Sequence, residues 1–154
     1  MKRGKFPNNS EGSVKGVLDR VHSDVVGPIS PTSIGGCKYL VTFIDEYSHF
    51  LEAKPIKRKG EVLYEFRKFQ AIVELGKGRK IKEFQSDNGG EYTGHDFIDH
   101  LDRNGILHRC SFPYTPQQNG MTERMNQTLM NSTRCLLIHS GMPHNFWGEA
   151  LGSA

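Results

Sequence analysis

Three carboxylates in this sequence stand where acidic side chains could act together on a phosphate group. Asp24 and Asp87 each come at the end of a β-prone run, and Glu123 lies in a long helical stretch. Carboxylate oxygens are the ligands that Mg²⁺ prefers, and two such ions about 4 Å apart can promote phosphoryl transfer. If two strand ends and a helix bring these residues together, the sequence predicts an oxygen-rich metal site.

Each of these residues also has a simpler interpretation. Asp87 followed by Asn-Gly-Gly at 88–90 is typical of a surface turn, because Asn and Gly tolerate positive φ. A carboxylate on the polar side of a helix is ordinarily only solvated. On a helical wheel Glu123 heads a polar ridge, and an apolar stripe lies opposite it. The ridge holds Asn119, Gln127 and Arg134, and the stripe holds Met121, Met125, Leu129 and Leu136.

The elements that must position these residues follow the order β-β-β-α-β-α-β-α-α. The predicted strands are 17–26, 38–48, 49–56, 80–86 and 106–111, and the predicted helices are 60–76, 95–104, one from after Pro116 to about Ser140, and one opened by Pro143. This order predicts an α/β fold, a mixed sheet with helices packed on its faces. Functional sites in such sheets gather at strand ends and in the loops that follow them.

The bulk composition narrows the class of protein. The chain has 154 residues and a net charge of +3, which suit one globular domain and weakly favour a nucleic-acid partner. Residues 1–16 are polar and predict a flexible basic arm, with the folded domain at 17–154. We expect no membrane span and no signal peptide, because the apolar runs are too short. Three scattered cysteines suggest neither a disulfide framework nor a zinc ribbon.

Five segments in order resemble the integrase core of copia-type LTR retrotransposons. They are HSDVVGP (22–28), GGCKYLVTFIDEYS (35–48), SDNGGEY (86–92), PYTPQQNGMTERMNQTL (113–129) and FWGEAL (146–151). The 35 residues between Asp87 and Glu123 match the D-D-35-E spacing of that family. Together these matches cover residues 17–152, and they are specific because of their order and spacing.

The resemblance implies an RNase H-like fold, with a five-stranded mixed sheet flanked by helices. It also implies that Asp24, Asp87 and Glu123 are catalytic residues and ligands of two Mg²⁺ or Mn²⁺ ions. In the family's reaction, water first trims the 3′ ends of the element. The exposed 3′-hydroxyls then attack phosphates of the target DNA, and no covalent protein intermediate is needed.

Contacts with DNA are predicted from the same resemblance and from charge. The predicted contact residues are Gln117, Gln118, Asn119, Arg124, Gln127, Arg134, Lys57, Arg58 and Lys59. For some of the Gln and Asn residues, in a stretch resembling the family's active-site loop, helix capping is an equal alternative. Arg124 and Asn126 match the family's E-R-x-N, and a structural role for Arg124 is as well supported as a phosphate contact. The basic cluster 57–59 could equally be solvated surface.

The predicted partners are double-stranded DNA, as element ends and as target, and further copies of the chain. The family's zinc domain and its downstream DNA-binding region are not among these 154 residues, so we expect an integrase fragment. A nuclear site of action follows from the expected chromosomal substrate. Two alternatives remain: a non-catalytic nucleic-acid-binding remnant of the same fold, and a nuclease of the same fold that cuts RNA in hybrids.

Overall fold

A five-stranded mixed sheet forms the centre of the molecule in the computed structural model, which describes residues 14–110 and 116–151, with only the backbone for 116–119. The strand order is β3-β2-β1-β4-β5, in which β1 pairs antiparallel with β2 and parallel with β4. The strands are β1 Arg20–Val26, β2 Tyr39–Asp45, β3 Leu51–Ile56, β4 Glu83–Ser86 and β5 Leu107–Cys110. The helices are α1 Val62–Lys77, α2 Gly90–Thr93, α3 His95–Arg103, α4 Pro116–Ser140 and α5 Trp147–Leu151, with 3₁₀ turns at Lys59–Glu61 and His144–Phe146.

The two faces of the sheet bury different cores. Under α1, α2 and α3 lies an aromatic face, in which the rings of Phe66 and Phe84 stand 4.7 Å apart at their centroids. Under α4 and α5 lies a smaller core, which we call the α4 face and which contains Leu40, Leu137 and Trp147. Because side chains alternate along a strand, the even-numbered residues of β1 point to the α4 face.

Helix α1 forms because its apolar residues recur with helical spacing. Val62, Phe66 and Phe69 are buried against the sheet while charged residues occupy the other side. The helix ends at Gly78, whose left-handed backbone (φ 64°) lets its N–H donate to the Glu74 carbonyl over 3.0 Å. The predicted helix at 60–76 is confirmed, with one more residue at its end.

The predicted five-stranded mixed sheet and its flanking helices are confirmed, with shifted boundaries. β1 begins at Arg20 rather than at residue 17, because Asp19 accepts the N–H groups of Lys15 and Gly16 and closes a turn there. Helix α2 was not predicted. The long helix α4 begins at Pro116, so the backbone of residues 117–119, in the stretch that resembles the family's active-site loop, is helical. The predicted flexible arm at 1–16 lies mostly outside the described residues.

Helix α4 packs with a different side from the one its apolar stripe suggests. Its buried residues are Thr122, Asn126, Thr133 and Leu137, and they lie on average about 70° around the helix from Glu123. Leu136 of the predicted stripe is 37 % exposed. The first half of the helix lies against polar residues of β1 such as Asp24. The side chains that this half buries, Thr122 and Asn126, are therefore polar as well. Within the described ranges, the structure has no helix long and apolar enough to cross a membrane.

Candidate active site

Asp24 and Asp87 lie near each other at the same end of two neighbouring parallel strands. β1 and β4 pair in a register that sets His22 opposite Gln85. Asp24 lies two residues further along β1, and Asp87 is the first residue after β4. By the alternation of side chains the Asp24 carboxylate projects to the α4 face, and the charge of Asp87 is close enough to raise its pKa. Since the carboxyl ends of parallel strands meet at one edge of a sheet, the two predicted residues lie together although 62 residues separate them.

Backbone hydrogen bonds hold both aspartates. The Asp24 Oδ1 atom accepts the N–H of Val25 over 2.9 Å, and the Asp87 Oδ1 atom accepts the N–H of Gly89 over 2.9 Å. The Asp24 side chain is half-buried beneath α4, whereas Asp87 is exposed. The two carboxylates are thus fixed by their own strand ends before any ligand binds.

The charges at the site act on Asp24. The pKa of its carboxyl group is raised from 3.8 to about 6, first by burial and next by the negative charge of Asp87. The charges of Glu123 and Glu91 act in the same direction. The four carboxylates therefore lie within electrostatic range of one another, and their repulsion is the kind that a bound cation relieves.

The chemistry of these donors fits a hard divalent cation, since all are carboxylate oxygens. In the part of the chain that the structure describes, however, no three His, Cys, Asp or Glu side chains stand close enough to hold one metal ion. Glu123 is exposed on α4 and acts on Asp24 through its charge. The assignment of Asp24, Asp87 and Glu123 as metal ligands stays a prediction.

Asn126 also contributes to the site, and it was not among the predicted site residues. It lies one turn after Glu123 on the buried side of α4, and its Nδ2 atom is 3.4 Å from the Asp24 Oδ2 atom. Its match to E-R-x-N was the only signal in the sequence. The contact itself depends on how α4 crosses β1, which local sequence patterns do not encode.

A buried serine and a half-buried histidine support Asp87 from the aromatic face. The Ser86 hydroxyl donates to the Asp87 carbonyl over 2.9 Å, and His108 Nε2 lies 2.9 Å from the same hydroxyl. Burial lowers the pKa of His108, which favours the neutral ring. These residues come from β4 and its neighbour β5, and nothing in the sequence around His108 marks it as part of the site.

A polar network continues down β1 behind Asp24. His22, on the same face, places Nε2 2.7 Å from the Glu46 carboxylate, which also pairs with Arg20 over 3.2 Å. Arg20 in turn pairs with Glu83 of β4 over 2.9 Å. Arg20 and His22 are both buried, so this network ties β1 to β4 beneath the site.

The Asn-Gly-Gly segment after Asp87 does not use the positive φ that the sequence suggested at Gly89. That residue has φ −59° and ψ 150°, and it directly precedes α2. A Cβ atom at Gly89 would lie 2.6 Å from a carboxylate oxygen of Glu91. The glycine therefore gives room to the Glu91 side chain, which folds back toward the site.

Comparison with known proteins identifies the family. The integrase core domain matches residues 15–116. The chain belongs to this family. Its fold matches that of the catalytic core domain of BIV integrase, with a TM-score of 0.62 over 88 % of this chain and 79 % of that chain at 19 % identity. The RNase H-like fold implied by the resemblance is thus confirmed.

The integrase core of this chain is also similar to parts of transposon polyproteins. It is 45 % identical over 152 residues to the retrovirus-related Pol polyprotein from transposon TNT 1-94 of Nicotiana tabacum, covering 99 % of this chain. It is 34 % identical over 150 residues to that of transposon RE2 of Arabidopsis thaliana, covering 97 %. The chain spans about a tenth of these relatives, 11 % and 10 % of their lengths. The expected kinship with copia-type elements is confirmed.

The predicted DNA contacts fall into three groups in this integrase core. Lys57, Arg58 and Lys59 are exposed at the end of β3, the same end of the sheet at which Asp24 lies. Gln127 and Arg124 are exposed on α4 close to Glu123. The third group consists of Arg134, Gln117, Gln118 and Asn119.

Arg134 lies three turns beyond Glu123, about 16 Å along the helix axis. Its guanidinium donates to Asn131 over 3.4 Å. The side chains of Gln117, Gln118 and Asn119 lie outside the described residues. All nine DNA contacts stay predictions.

Two buried side chains near the site have structural contacts. The carboxylate of Asp45, which is 1 % exposed, accepts the N–H groups of Leu18 and Ser48, each over 2.8 Å. Trp147 is buried on the α4 face, and its Nε1–H donates to the Pro31 carbonyl.

Proposed function

We propose that this chain is the catalytic core of a DNA integrase that trims the 3′ ends of a transposable element and joins them to target DNA. One observation carries the proposal: Asp24 of β1 and Asp87, directly after the parallel strand β4, lie close together, and burial and then the charges of Asp87 and Glu123 raise the pKa of Asp24. A cluster of repelling carboxylates at a strand edge suits metal-dependent phosphoryl transfer. Membership of the integrase core family supports the same reaction.

Asp24, Asp87 and Glu123 would hold two Mg²⁺ or Mn²⁺ ions in this proposal. When bound, such ions activate an attacking oxygen and stabilise the leaving oxygen of an in-line displacement. The chain contributes position: the N–H groups of Val25 and Gly89 fix the two aspartates, and α4 brings the exposed carboxylate of Glu123. Positioning and charge supply the catalysis, so no protein nucleophile is required.

Double-stranded DNA is the proposed substrate, and its backbone would lie along the carboxyl end of the sheet. Lys57, Arg58 and Lys59 would contact its phosphates without reading sequence. Chromosomal DNA as the target places the proposed reaction in the nucleus.

Self-association is a further part of the proposal, because two ends of an element must be held together. Phe50 and Ile72 line a groove between β3 and α1 and are 50 % and 70 % exposed. Exposed apolar residues of this kind suit a contact between copies. A monomeric mass by sedimentation at micromolar and higher concentrations would refute this part.

The reaction is tested by reversal of strand transfer on a branched DNA substrate with Mg²⁺ or Mn²⁺. We expect metal-dependent joining by the wild type and a loss on the order of 100-fold or more for Glu123→Gln, equivalent to about 2.7 kcal/mol. Glu149→Gln is the matched control, because Glu149 is exposed on α5 away from the site.

The outcomes separate the alternatives. Equal rates of joining by the wild type and Glu123→Gln would show that Glu123 takes no part in the reaction. No joining and no Mg²⁺ binding by the wild type would favour a non-catalytic nucleic-acid-binding remnant. Cleavage of RNA in an RNA–DNA hybrid, without joining of branched DNA, would favour a nuclease of this fold.

A further inference from the structure

Asn126 connects α4 to Asp24. Its side chain is 8 % exposed, and its amide Nδ2 lies 3.4 Å from the Asp24 Oδ2 atom. The other carboxylate oxygen, Oδ1, accepts the N–H of Val25 over 2.9 Å. Each oxygen of Asp24 therefore has a hydrogen bond from a different part of the fold, one from its own strand and one from the helix that carries Glu123.

The rest of the Asn126 amide is poorly accommodated. Its Oδ1 atom is buried and has no hydrogen-bond partner among the described residues. Turning the amide over would not help, because Oδ1 would then face a carboxylate oxygen. A buried acceptor without a partner lowers stability, so an apolar side chain of similar size would suit this position better if packing were its only role.

Thr133 gives a comparison on the same buried side of the helix. It is 2 % exposed, and its hydroxyl donates to the Leu129 carbonyl over 2.9 Å, so its polar group is satisfied inside the helix. Asn126 instead directs its donor out of the helix to a carboxylate that Asp87, Glu123 and Glu91 repel. Without that donor, only the N–H of Val25 would hold the Asp24 carboxylate, and its Oδ2 atom would have no hydrogen bond from α4.

We propose that Asn126 is a positioning residue, whose amide holds the Asp24 carboxylate in the orientation that binds a divalent cation. This inference rests on the proposed function. Residues that orient a metal ligand typically contribute about 10- to 100-fold to metal affinity. Because the bond is 3.4 Å long, the effect belongs at the lower end of that range.

The test is Mn²⁺ binding to the full chain without DNA, measured by titration calorimetry. We expect Asn126→Ala to weaken Mn²⁺ binding about 10-fold while its thermal unfolding midpoint stays level or rises. Asn126→Leu, closer in volume, is the second variant, in case alanine leaves a cavity that destabilises the fold. Thr133→Val is the matched control, which removes a buried polar group from the same side of α4 and leaves Mn²⁺ affinity unchanged.

Kinetics supply a second measurement that a purely structural role would not alter. In strand-transfer reversal, the Mn²⁺ concentration for half-maximal rate should rise about 10-fold in Asn126→Ala, while most of the rate at saturating Mn²⁺ is retained. Unchanged Mn²⁺ affinity in both Asn126 variants would overturn the inference. So would a loss of affinity that only parallels a loss of stability, with Thr133→Val losing Mn²⁺ affinity and stability to the same extent.

Failure of the underlying function gives a different result. If Asp24→Asn binds Mn²⁺ as the wild type does, Asp24 is not a ligand and the proposed function fails together with this inference. If Asp24→Asn abolishes binding and the Asn126 variants do not weaken it, only the inference about Asn126 is overturned.

Discussion

The Asp24 carboxyl group is the side chain whose ionisation affects both the stability of the fold and the proposed reaction. Its pKa of about 6 results first from burial and then from the charge of Asp87. A folded chain therefore keeps a proton on Asp24 at pH values where an unfolded chain has lost it. Ionisation of this group works against the fold, and its cost is present above the folded pKa.

Replacement of Asp24 by asparagine should therefore stabilise the metal-free chain at high pH. At pH 8 we expect Asp24→Asn to unfold at a higher temperature than the wild type, and the difference to vanish below the ordinary pKa of 3.8. Mg²⁺ should raise the midpoint of the wild type and leave that of the variant unchanged. Thermal unfolding followed by the fluorescence of Trp147, the single tryptophan, measures both effects.

Asp19→Asn is a control that should change the unfolding temperature in the opposite direction. Burial raises the pKa of Asp19, but the hydrogen bond from Lys15 and the contacts of Lys82 outweigh it and lower the pKa overall. The ionised form of Asp19 thus stabilises the fold at pH 8, and its loss should lower the midpoint. An Asp24→Asn variant that melts at or below the wild-type temperature at pH 8 would contradict the account given for Asp24.

Individual residues also differ in whether their place in the site could be predicted from the sequence. Asp24 and Asp87 were predictable because each ends a recognisable strand, and parallel strands place such ends together. The contact of Asn126 with Asp24 joins residues 102 positions apart and depends on the angle at which α4 crosses the sheet. The support of Asp87 by His108 depends equally on β5 lying next to β4.

Elements were predicted well where one physical rule decides them. The end of α1 follows from glycine, because Gly78 adopts φ 64°, which side chains disfavour. The packing side of α4 was not predicted, since an apolar stripe indicates a core face only when the sheet beneath is apolar. Here β1 presents His22 and Asp24 to the helix.

Two glycines near the end of α1 should respond oppositely to alanine. Gly76→Ala, at an exposed helical position with open space around its Cα atom, should raise the free energy of unfolding by about 0.4–1 kcal/mol. Gly78→Ala should lower it by about 1 kcal/mol, because alanine disfavours the left-handed cap. Urea unfolding of the pair measures the difference. Equal effects of the two substitutions would refute the cap assignment.

At the scale of the whole molecule, two basic clusters among the described residues, 57–59 and 77–82, lie at opposite ends of the sheet. Lys57, Arg58 and Lys59 follow β3 at the end where Asp24 lies. The cluster at 77–82 precedes β4 at the far end, where Arg79 and Lys82 pair with Asp19 over 3.1 and 3.3 Å. Of these two clusters, the first lies at the end of the sheet where Asp24 is, and it is the one that we propose contacts DNA.

Removal of the first cluster should weaken DNA binding without regard to sequence. For Lys57→Gln, Arg58→Gln and Lys59→Gln combined, we expect the slope of log K against log salt to fall by roughly 2–3, about 0.9 for each phosphate that the protein no longer neutralises. Fluorescence anisotropy with a duplex at several salt concentrations measures this slope.

The far cluster offers a control with the same change in charge. Lys77→Gln, Arg79→Gln and Lys80→Gln combined should leave the slope nearly unchanged. An equal fall in slope from both triple variants would mean that net charge alone, rather than the position of 57–59, attracts DNA.

The register of β4 sets the aromatic core and the site together. The same pairing buries Phe84 against α1 and directs Asp87 toward Asp24, and a slip by one residue would reverse both. Selection for folding alone therefore maintains the geometry of the site. If this chain is the core of an active transposable element, as we propose, a descendant copy no longer under selection would lose activity by replacement of a carboxylate long before the two strand ends moved apart.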